Sequence, residues 1–183
     1  MMTDLQHLSF CQLTPSTTLS DFTCGNEDLD NFLRDDAKRY LDDLMAVTYL
    51  FVDTTNGKVA AFFSLLNDKV AYNPEDKTIW NRINRRIHNS KRRHSYPSVK
   101  IGRLAVSTEY VNTGLGSDIL NLIKRTFVAG NRTGCRFITV DAYAKATSFY
   151  LKNGFDYFTS TDAFDATRLM YFDLKPYKDS LPK

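Results

Sequence analysis

Apolar residues along this chain alternate between short β-rich runs and helical stripes. Two of the runs, Val47 to Val52 and Val59 to Leu66, flank the loop 53–57, which ends in Asn-Gly, and predict a β-hairpin. Both runs are almost continuously apolar, so we expect both faces of these strands to be covered. Further strands are predicted at residues 8–13, 100–106, 136–143, 155–158 and 168–174.

Helical spacing of apolar residues predicts the remaining elements. The first helix begins after Asn26, a favourable N-cap, and runs to about Leu44, with its acidic residues on a solvated face. Helices and strands therefore alternate, which is typical of an α/β fold with a mixed sheet and helices on both faces. Ile79, Ile83 and Ile87 form one possible helical stripe, and two further helices are predicted at about 115–130 and 144–153. Gly154 is well placed to end the last helix as its left-handed C′ residue.

The composition is ordinary for a globular protein, with 43% hydrophobic and 25% charged residues in 183. This length suits one domain, predicted to span residues 1–183. No apolar run approaches the roughly 18 residues of a membrane span, and no signal-like start is seen, so we expect a cytoplasmic protein without membrane contact. The cysteines, Cys11, Cys24 and Cys135, are too widely separated to predict a disulfide framework or a metal site.

Charge is unevenly distributed, although the net charge is only +3. An insertion at about 73–97 is strongly basic, and the stretch from Lys77 to Arg103 contains no Asp or Glu. One interpretation is a solvated helix and loop. The other is a contact surface for a polyanion, either RNA or the phosphates of a cofactor. The basic side chains of this segment are Arg82, Arg85, Arg86, Lys91, Arg92 and Arg93.

A strand, a glycine loop and a helix follow one another between Lys100 and about residue 130. The first amides of a helix lack internal partners, and the helix dipole makes that end partly positive. Gly114 and Gly116 would let a phosphate approach these amides closely. The spacing is not that of a dinucleotide fold, because residue 119 is Ile, and no Gly-Lys-Ser/Thr follows. The alternative is a tight strand-to-helix turn.

Three separated motifs stand in a fixed order: GRLAV at 102–106, GLGS at 114–117 and SFYLKNGF at 148–155. This order resembles the GNAT (Gcn5-related) N-acetyltransferase superfamily, and residues 22–33 look like the first helix of a subgroup that includes toxin-type members. The resemblance implies a mixed, mostly antiparallel central sheet with helices on both faces. It also implies a cofactor cleft where two neighbouring parallel strands splay apart.

The sequence departs from the family pattern at three places. The Arg or Gln expected three residues before Gly114 is Val111, and the glycine that often follows it is Asn112. An amide cradle works through the backbone, so these changes should weaken the site rather than abolish it. The asparagine that many members carry before the second helix is also missing, since Tyr143 and Ala144 occupy that position.

The resemblance further implies that acetyl-CoA is the co-substrate and that no metal is needed. The splayed strands would be those ending at Val106 and Tyr143, and the Val106 N–H would stabilise the oxyanion. The pantetheine arm would pair with the backbone of the first strand, and the pyrophosphate would rest on the loop amides. The cofactor-binding residues implied in this way are Leu104, Ala105, Val106, Asn112, Thr113, Gly114, Leu115, Gly116, Ser117 and Tyr143.

Tyr150 is the candidate general acid, which would protonate the departing CoA thiolate. The alternative is that Tyr150 is a core aromatic of its short helix. No general base is assigned, because Glu109, His88 and His94 are all expected to be surface residues.

The leading functional hypothesis is an N-acetyltransferase acting by direct attack of a primary amine, on a small molecule or a protein. A toxin-type enzyme that acetylates aminoacyl-tRNA is an alternative and would explain the basic segment Arg82–Arg93. A non-catalytic acyl-CoA-binding module is a further alternative, given the changes at Val111 and Ala144. A homodimer is left open.

Overall fold

A computed structural model describes residues 7–131 and 133–182, and it contains a seven-stranded mixed sheet. The strand order across the sheet is β1-β2-β3-β4-β5-β7-β6. The predicted α/β class is therefore confirmed. The strands are β1 (Leu8–Gln12), β2 (Val47–Asp53), β3 (Val59–Ala71), β4 (Ser95–Val106), β5 (Phe137–Tyr143), β6 (Asp156–Tyr157) and β7 (Thr167–Asp173).

Most neighbouring strands run antiparallel. The predicted hairpin is β2–β3, and β1 adds to its outer edge with Phe10 opposite Phe51. The β3–β4 pair is also antiparallel, because Tyr72 N donates to His94 O at 2.8 Å while Ser107 N donates to Ala60 O at 2.9 Å. The strands β5, β7 and β6 pair antiparallel in turn.

Among the strands that the structure describes, one pair is parallel, and it joins the first half of β4 to β5. Arg136 N donates to Pro97 O at 3.0 Å, and an ion pair joins Lys100 to Asp141 further along both strands. Residue numbers rise together along the two strands, which is the signature of a parallel pairing. A sheet with a single parallel pair is what the family resemblance implied.

The first predicted helix is built from three pieces. Asn26 Oδ1 accepts from Asp28 N at 3.1 Å, which confirms the predicted cap. A wide turn, in which Ala37 N donates to Phe32 O, interrupts the α-helical pattern. The helix ends at Asp42, slightly before the predicted end at about Leu44, and Leu44 has φ 57° and is 92% exposed. The pieces are α1 (Glu27–Asn31), the wide turn (Phe32–Asp36) and α2 (Ala37–Asp42).

Three of the later helices agree with the sequence pattern and one was not predicted. The strand β4 begins at Ser95, earlier than the predicted start at residue 100 and inside the segment 73–97. The C-terminal helix was missed, although Asp173 Oδ1 caps it by accepting from Lys175 N at 3.1 Å. Pro176 is compatible with that helix because it lies in the first turn. The helices are α3 (Lys77–Arg85), α4 (Leu115–Ala129), α5 (Thr147–Lys152) and α6 (Leu174–Ser180).

The chain divides into two compact units. The first comprises the described residues up to Leu66 together with Ile101–Ile123, and the second comprises Asn67–Lys100 with the described residues from Lys124 onward. No helix in the described ranges is long and apolar enough to cross a bilayer. The core of the first unit includes Leu13, Phe32, Leu33, Leu50, Phe62 and Ala105, and that of the second includes Val70, Trp80, Ile83, Tyr96, Phe137 and Tyr171.

Candidate active site

The second half of β4 presents the first group of predicted site residues, Leu104, Ala105 and Val106. Ala105 is buried in the core of the first unit, and the strand end is tied to β3 through the Ser107–Ala60 hydrogen bond. Gly102 allows the close approach of β3, because a Cβ there would lie 2.7 Å from Leu66 Cδ2. The backbone of this segment is therefore held firmly in place.

The loop after β4 has two residues in the left-handed region, Asn112 at φ 63° and Gly114 at φ 92°. Asparagine tolerates this conformation better than most residues, so the departure from the family glycine at 112 is accommodated. Thr113 Oγ1 donates to Tyr110 O at 2.7 Å and closes the loop on itself. The backbone thus reverses sharply just before α4 begins at Leu115.

The amides at the start of α4 are not equivalent. Ser117 N and Asp118 N both donate to Gly114 O, at 2.9 and 3.1 Å, and Leu115 N makes a long contact of 3.4 Å with Thr113 Oγ1. Within the described ranges, the amides of Gly114 and Gly116 donate no hydrogen bond. These two glycine amides are the best candidates for binding an anion.

A buried carboxylate anchors this loop to the β2–β3 hairpin. The Tyr110 hydroxyl donates to Asp53, which is 4% exposed and also accepts from Thr55 N at 2.7 Å and Thr55 Oγ1 at 2.6 Å. The hydrogen bonds from Thr55 and Tyr110 lower the pKa of Asp53 to about 2. The same contact raises the pKa of Tyr110. Sequence reasoning missed this anchor because its members are 57 residues apart.

The residues considered as general bases have other partners. Glu109 accepts from Lys58 Nζ at 2.7 Å on the surface, and this contact raises the pKa of Lys58. His88 Nδ1 lies 2.9 Å from Ser90 Oγ, and the His94 ring packs edge-on against Tyr72. None of these contacts points to proton abstraction.

Tyr143 and Tyr150 belong to the second unit. Tyr143 ends β5 opposite Thr167 of β7, and the chain then turns through residues 144–146 into α5. Tyr150 is 6% exposed, with its ring 5.1 Å from Phe149 and 5.4 Å from Phe155 between centroids.

The Tyr150 hydroxyl makes no hydrogen bond to any residue that the structure describes. Burial raises the pKa of Tyr150, so the phenol stays protonated across the neutral range. Gly154 ends α5 at φ 80°, as the sequence predicted. Tyr150 is thus both a packed aromatic and a protonated donor.

Lys124 is a buried cation that sequence reasoning missed. Its Nζ donates to Asn153 O at 2.6 Å at the end of α5 and lies 4.4 Å from the Phe172 ring centroid. Burial lowers the pKa of Lys124 to about 8. The available signal was position, since Lys124 follows buried Leu120 by one helical turn.

The basic segment separates into paired and unpaired cations. Arg82 lies 3.7 Å from an Asp156 oxygen, and Arg86 lies 3.8 Å from an Asp173 oxygen. The other four cations form no ion pair with a carboxylate in the described part of the chain. They are exposed and comprise Arg85, Lys91, Arg92 and Arg93.

Cys24 and Cys135 do not suggest a second chemistry. Burial raises the pKa values of Cys24 and Cys135 to about 11, which leaves both thiols protonated and unreactive. No cluster of His, Cys, Asp and Glu suited to a metal ion occurs among residues 7–131 and 133–182.

The sheet order, its single parallel pair and the glycine loop after β4 define a GNAT-type fold. No protein-family model and no curated protein matches the sequence. Among solved structures, a tyrosine-to-phenylalanine variant of KacT matches with TM-score 0.77 and 21% identity, covering 96% of this chain and 100% of that chain.

AtaTR bound with acetyl-CoA matches with TM-score 0.74 and 21% identity, over 93% of this chain and 96% of that chain. AtaT complexed with acetyl-methionyl-tRNAfMet also matches with TM-score 0.74 and 21% identity, over 93% and 97% of the two chains. A variant of the AtaT toxin was solved bound to the C-terminus of the antitoxin AtaR. At this level of identity the likeness shows the fold.

Proposed function

We propose that this chain is an N-acetyltransferase that moves acetyl from acetyl-CoA to the α-amine of an aminoacyl-tRNA. The observation that carries the proposal is the loop before α4, where Asn112 and Gly114 adopt left-handed backbone conformations. The amides of Gly114 and Gly116 are left without a hydrogen bond in the described chain, in a fold shared with a toxin solved with acetyl-CoA.

The residues of the loop suit the diphosphate of CoA. Amides at the N-terminus of the 15-residue helix α4 favour an anion through their hydrogen bonds and through the helix dipole. The hydrogen bond of Tyr110 to Asp53 limits the freedom of the loop before any ligand arrives. The backbone of Leu104, Ala105 and Val106 would pair with the pantetheine arm as an added strand would.

Two groups of the chain would perform the chemistry. Acetyl-CoA supplies a thioester, whose carbonyl carbon is open to attack by a neutral amine. The Val106 N–H would donate a hydrogen bond to the carbonyl oxygen as negative charge develops there. As the carbon–sulfur bond breaks, the Tyr150 hydroxyl would donate its proton to the departing sulfur, and the raised pKa of Tyr150 keeps that proton available at neutral pH. The proton that the amine nitrogen loses on forming the amide would restore the phenol.

The acceptor is inferred from charge. The unpaired cations Arg85, Lys91, Arg92 and Arg93 provide a phosphate-binding surface, and AtaT, which shares this fold, was solved with acetyl-methionyl-tRNAfMet. A small amine would gain nothing from such a surface, and a protein amine would gain only where its surroundings are acidic. We therefore place aminoacyl-tRNA ahead of the other acceptor classes.

The test is an acceptor screen with radiolabelled acetyl-CoA, covering aminoacyl-tRNAs, polyamines, free amino acids and peptides. We expect label on aminoacyl-tRNA, none on deacylated tRNA, and a rate that falls steeply with salt. Label on polyamines or peptides alone would overturn the acceptor assignment. Binding of acetyl-CoA without transfer to any acceptor would favour a non-catalytic acyl-CoA-binding module.

A further inference from the structure

A small aromatic cavity lies in the second unit, within the basic segment and the end of the β3–β4 hairpin. Its volume is about 250 Å³. This is below the usual range for sites that hold a whole drug-sized ligand, which begins at about 300 Å³, so the cavity suits a fragment such as one nucleobase. The lining residues are Tyr72, Trp80, Asn84, Arg92, Arg93 and His94.

Aromatic rings form one side of this cavity. Tyr72 is 37% exposed, and its ring packs edge-on against Trp80 at 5.8 Å and His94 at 6.2 Å between centroids. Trp80 is buried and stacks on Tyr96 at 5.4 Å with an interplanar angle of 25°. Exposed aromatic faces backed by a packed core are the usual platform for unstacked bases.

Hydrogen bonds hold the polar groups of the cavity in place. The Tyr96 hydroxyl donates to Asn84 Oδ1 at 2.6 Å and accepts from Arg93 N at 3.0 Å. Arg92 Nε donates to the carbonyls of Asn84 and Ile87 at 3.1 and 3.3 Å. Within the described ranges, neither the terminal guanidinium nitrogens of Arg92 nor Asn84 Nδ2 makes a hydrogen bond, so these donors remain available to a ligand.

The charge of the lining selects the class of ligand. Arg92 and Arg93 provide its positive charge, and no carboxylate is found among the lining residues that the structure describes. An aromatic face beside arginines matches a base together with its phosphate, whereas an acidic peptide would use the arginines and leave the rings unused.

We propose that this cavity binds one unpaired nucleotide of the RNA acceptor, with the base against Tyr72 and the phosphate at Arg92 and Arg93. This inference rests on the proposed function, since it names where that RNA is recognised. On this proposal, the exposed part of the basic segment binds RNA by stacking on a base as well as by attracting phosphates. A fully paired duplex offers no base to the cavity and would contact only the surrounding cations.

The test uses Trp80 as a reporter, because it is the chain's single tryptophan. The probes are a single-stranded RNA tetranucleotide, a blunt RNA duplex and an acidic peptide, each titrated while tryptophan fluorescence is recorded. We expect saturable quenching by the tetranucleotide alone. Tyr72→Ala should weaken tetranucleotide binding about tenfold, since one stacked base is lost. Tyr72→Phe, which keeps the ring, and Arg82→Gln, which removes a paired arginine, should each change it by less than about twofold.

Equal quenching by the duplex or by the acidic peptide would overturn the proposal, as would unchanged binding by Tyr72→Ala. The two proposals fail in distinguishable ways. If Tyr72→Ala binds the tetranucleotide normally while wild type acetylates aminoacyl-tRNA, the proposal for the cavity is wrong and the proposed enzymatic function is retained. If the tetranucleotide binds as expected but no aminoacyl-tRNA is acetylated, the cavity does bind a nucleotide and the acceptor assignment is wrong.

Discussion

The loop after β4 and the helix α5 differ in the groups that they offer to a ligand. The loop offers backbone amides, and its side chains serve to hold the chain in shape, as Tyr110 and Thr113 do. The helix α5 offers the side-chain hydroxyl of Tyr150, which is held among aromatic rings. A backbone site tolerates changes of side chain but not of dihedral angle. A site that depends on one side-chain hydroxyl fails when that hydroxyl is removed, even if the replacement side chain has the same shape.

Tyr150→Phe tests the side-chain half of this comparison and should have the largest effect. The ring and its packing remain, while the proton donor is lost. We expect kcat to fall about 100-fold or more with the Kd for acetyl-CoA unchanged, measured by steady-state kinetics and calorimetry. Tyr157→Phe, which removes another phenolic hydroxyl of the second unit, is the matched control and should keep full activity. Equal rates for wild type and Tyr150→Phe would mean that the acid is a different group.

Gly114→Ala tests whether the loop after β4 depends on its backbone conformation. Gly114 has φ 92°, a conformation that costs a residue with a Cβ about 1–3 kcal/mol, so the loop should shift and bind acetyl-CoA about tenfold more weakly. Gly57 has φ 73° in the β2–β3 hairpin and open space around it, so Gly57→Ala is the control. It should lower the melting temperature without changing the affinity for acetyl-CoA. If both substitutions changed that affinity equally, the loop would have no special role.

Tyr110→Phe tests whether the hydrogen bond from Tyr110 to Asp53 supports the binding of acetyl-CoA by the loop amides. Loss of the hydrogen bond to Asp53 should weaken acetyl-CoA binding about threefold and leave kcat unchanged. Lys58→Ala breaks only the surface pair with Glu109 and should have no effect on binding.

Tyr110→Phe should also change how the stability of the protein depends on pH. Asp53 has a pKa lowered to about 2, so it contributes stability above its usual pKa that is lost as the pH falls toward 2. Denaturant melts from pH 5 to pH 2 should show a shallower loss in Tyr110→Phe than in wild type. Parallel pH profiles would show that Tyr110 does not stabilise the carboxylate.

Lys124→Met should affect stability alone. Burial lowers the pKa of Lys124 to about 8 from 10.5, so the folded state binds fewer protons than the unfolded state between these values. Wild-type stability should therefore gain from this residue as the pH rises from 8 to 10.5, and Lys124→Met should lose that gain. Lys152→Met, at an exposed lysine of α5, is the control. A constant difference between wild type and Lys124→Met across this range would contradict the shifted pKa.

The sequence predicted the elements whose signals are local. The hairpin at 47–66, the cap at Asn26 and the glycine that ends α5 each depend on neighbouring residues, and all three were found. The loop before α4 was located correctly, although Asn112 supplies a left-handed conformation where the family often has glycine.

Features that depend on distant contacts were missed. The wide turn at Phe32–Asp36 interrupts the first helix, and Leu44 lies beyond the helix end at Asp42 with 92% exposure. The anchor between Asp53 and Tyr110 and the contact between Lys124 and Asn153 join residues far apart in the chain. The ion pairs of Arg82 and Arg86 likewise divide a basic segment that looks uniform in the sequence.

The proposed enzyme depends above all on the Gly114 and Gly116 amides holding the diphosphate of CoA. A proton–nitrogen NMR titration with CoA tests this binding most directly, because each amide reports separately. Saturable shifts are expected at Gly114 and Gly116 and none at Gly57, and the shifts should be lost when pantetheine without the diphosphate is added instead. Saturable binding of CoA that leaves the Gly114 and Gly116 amides unmoved, or no binding at all, would contradict this role.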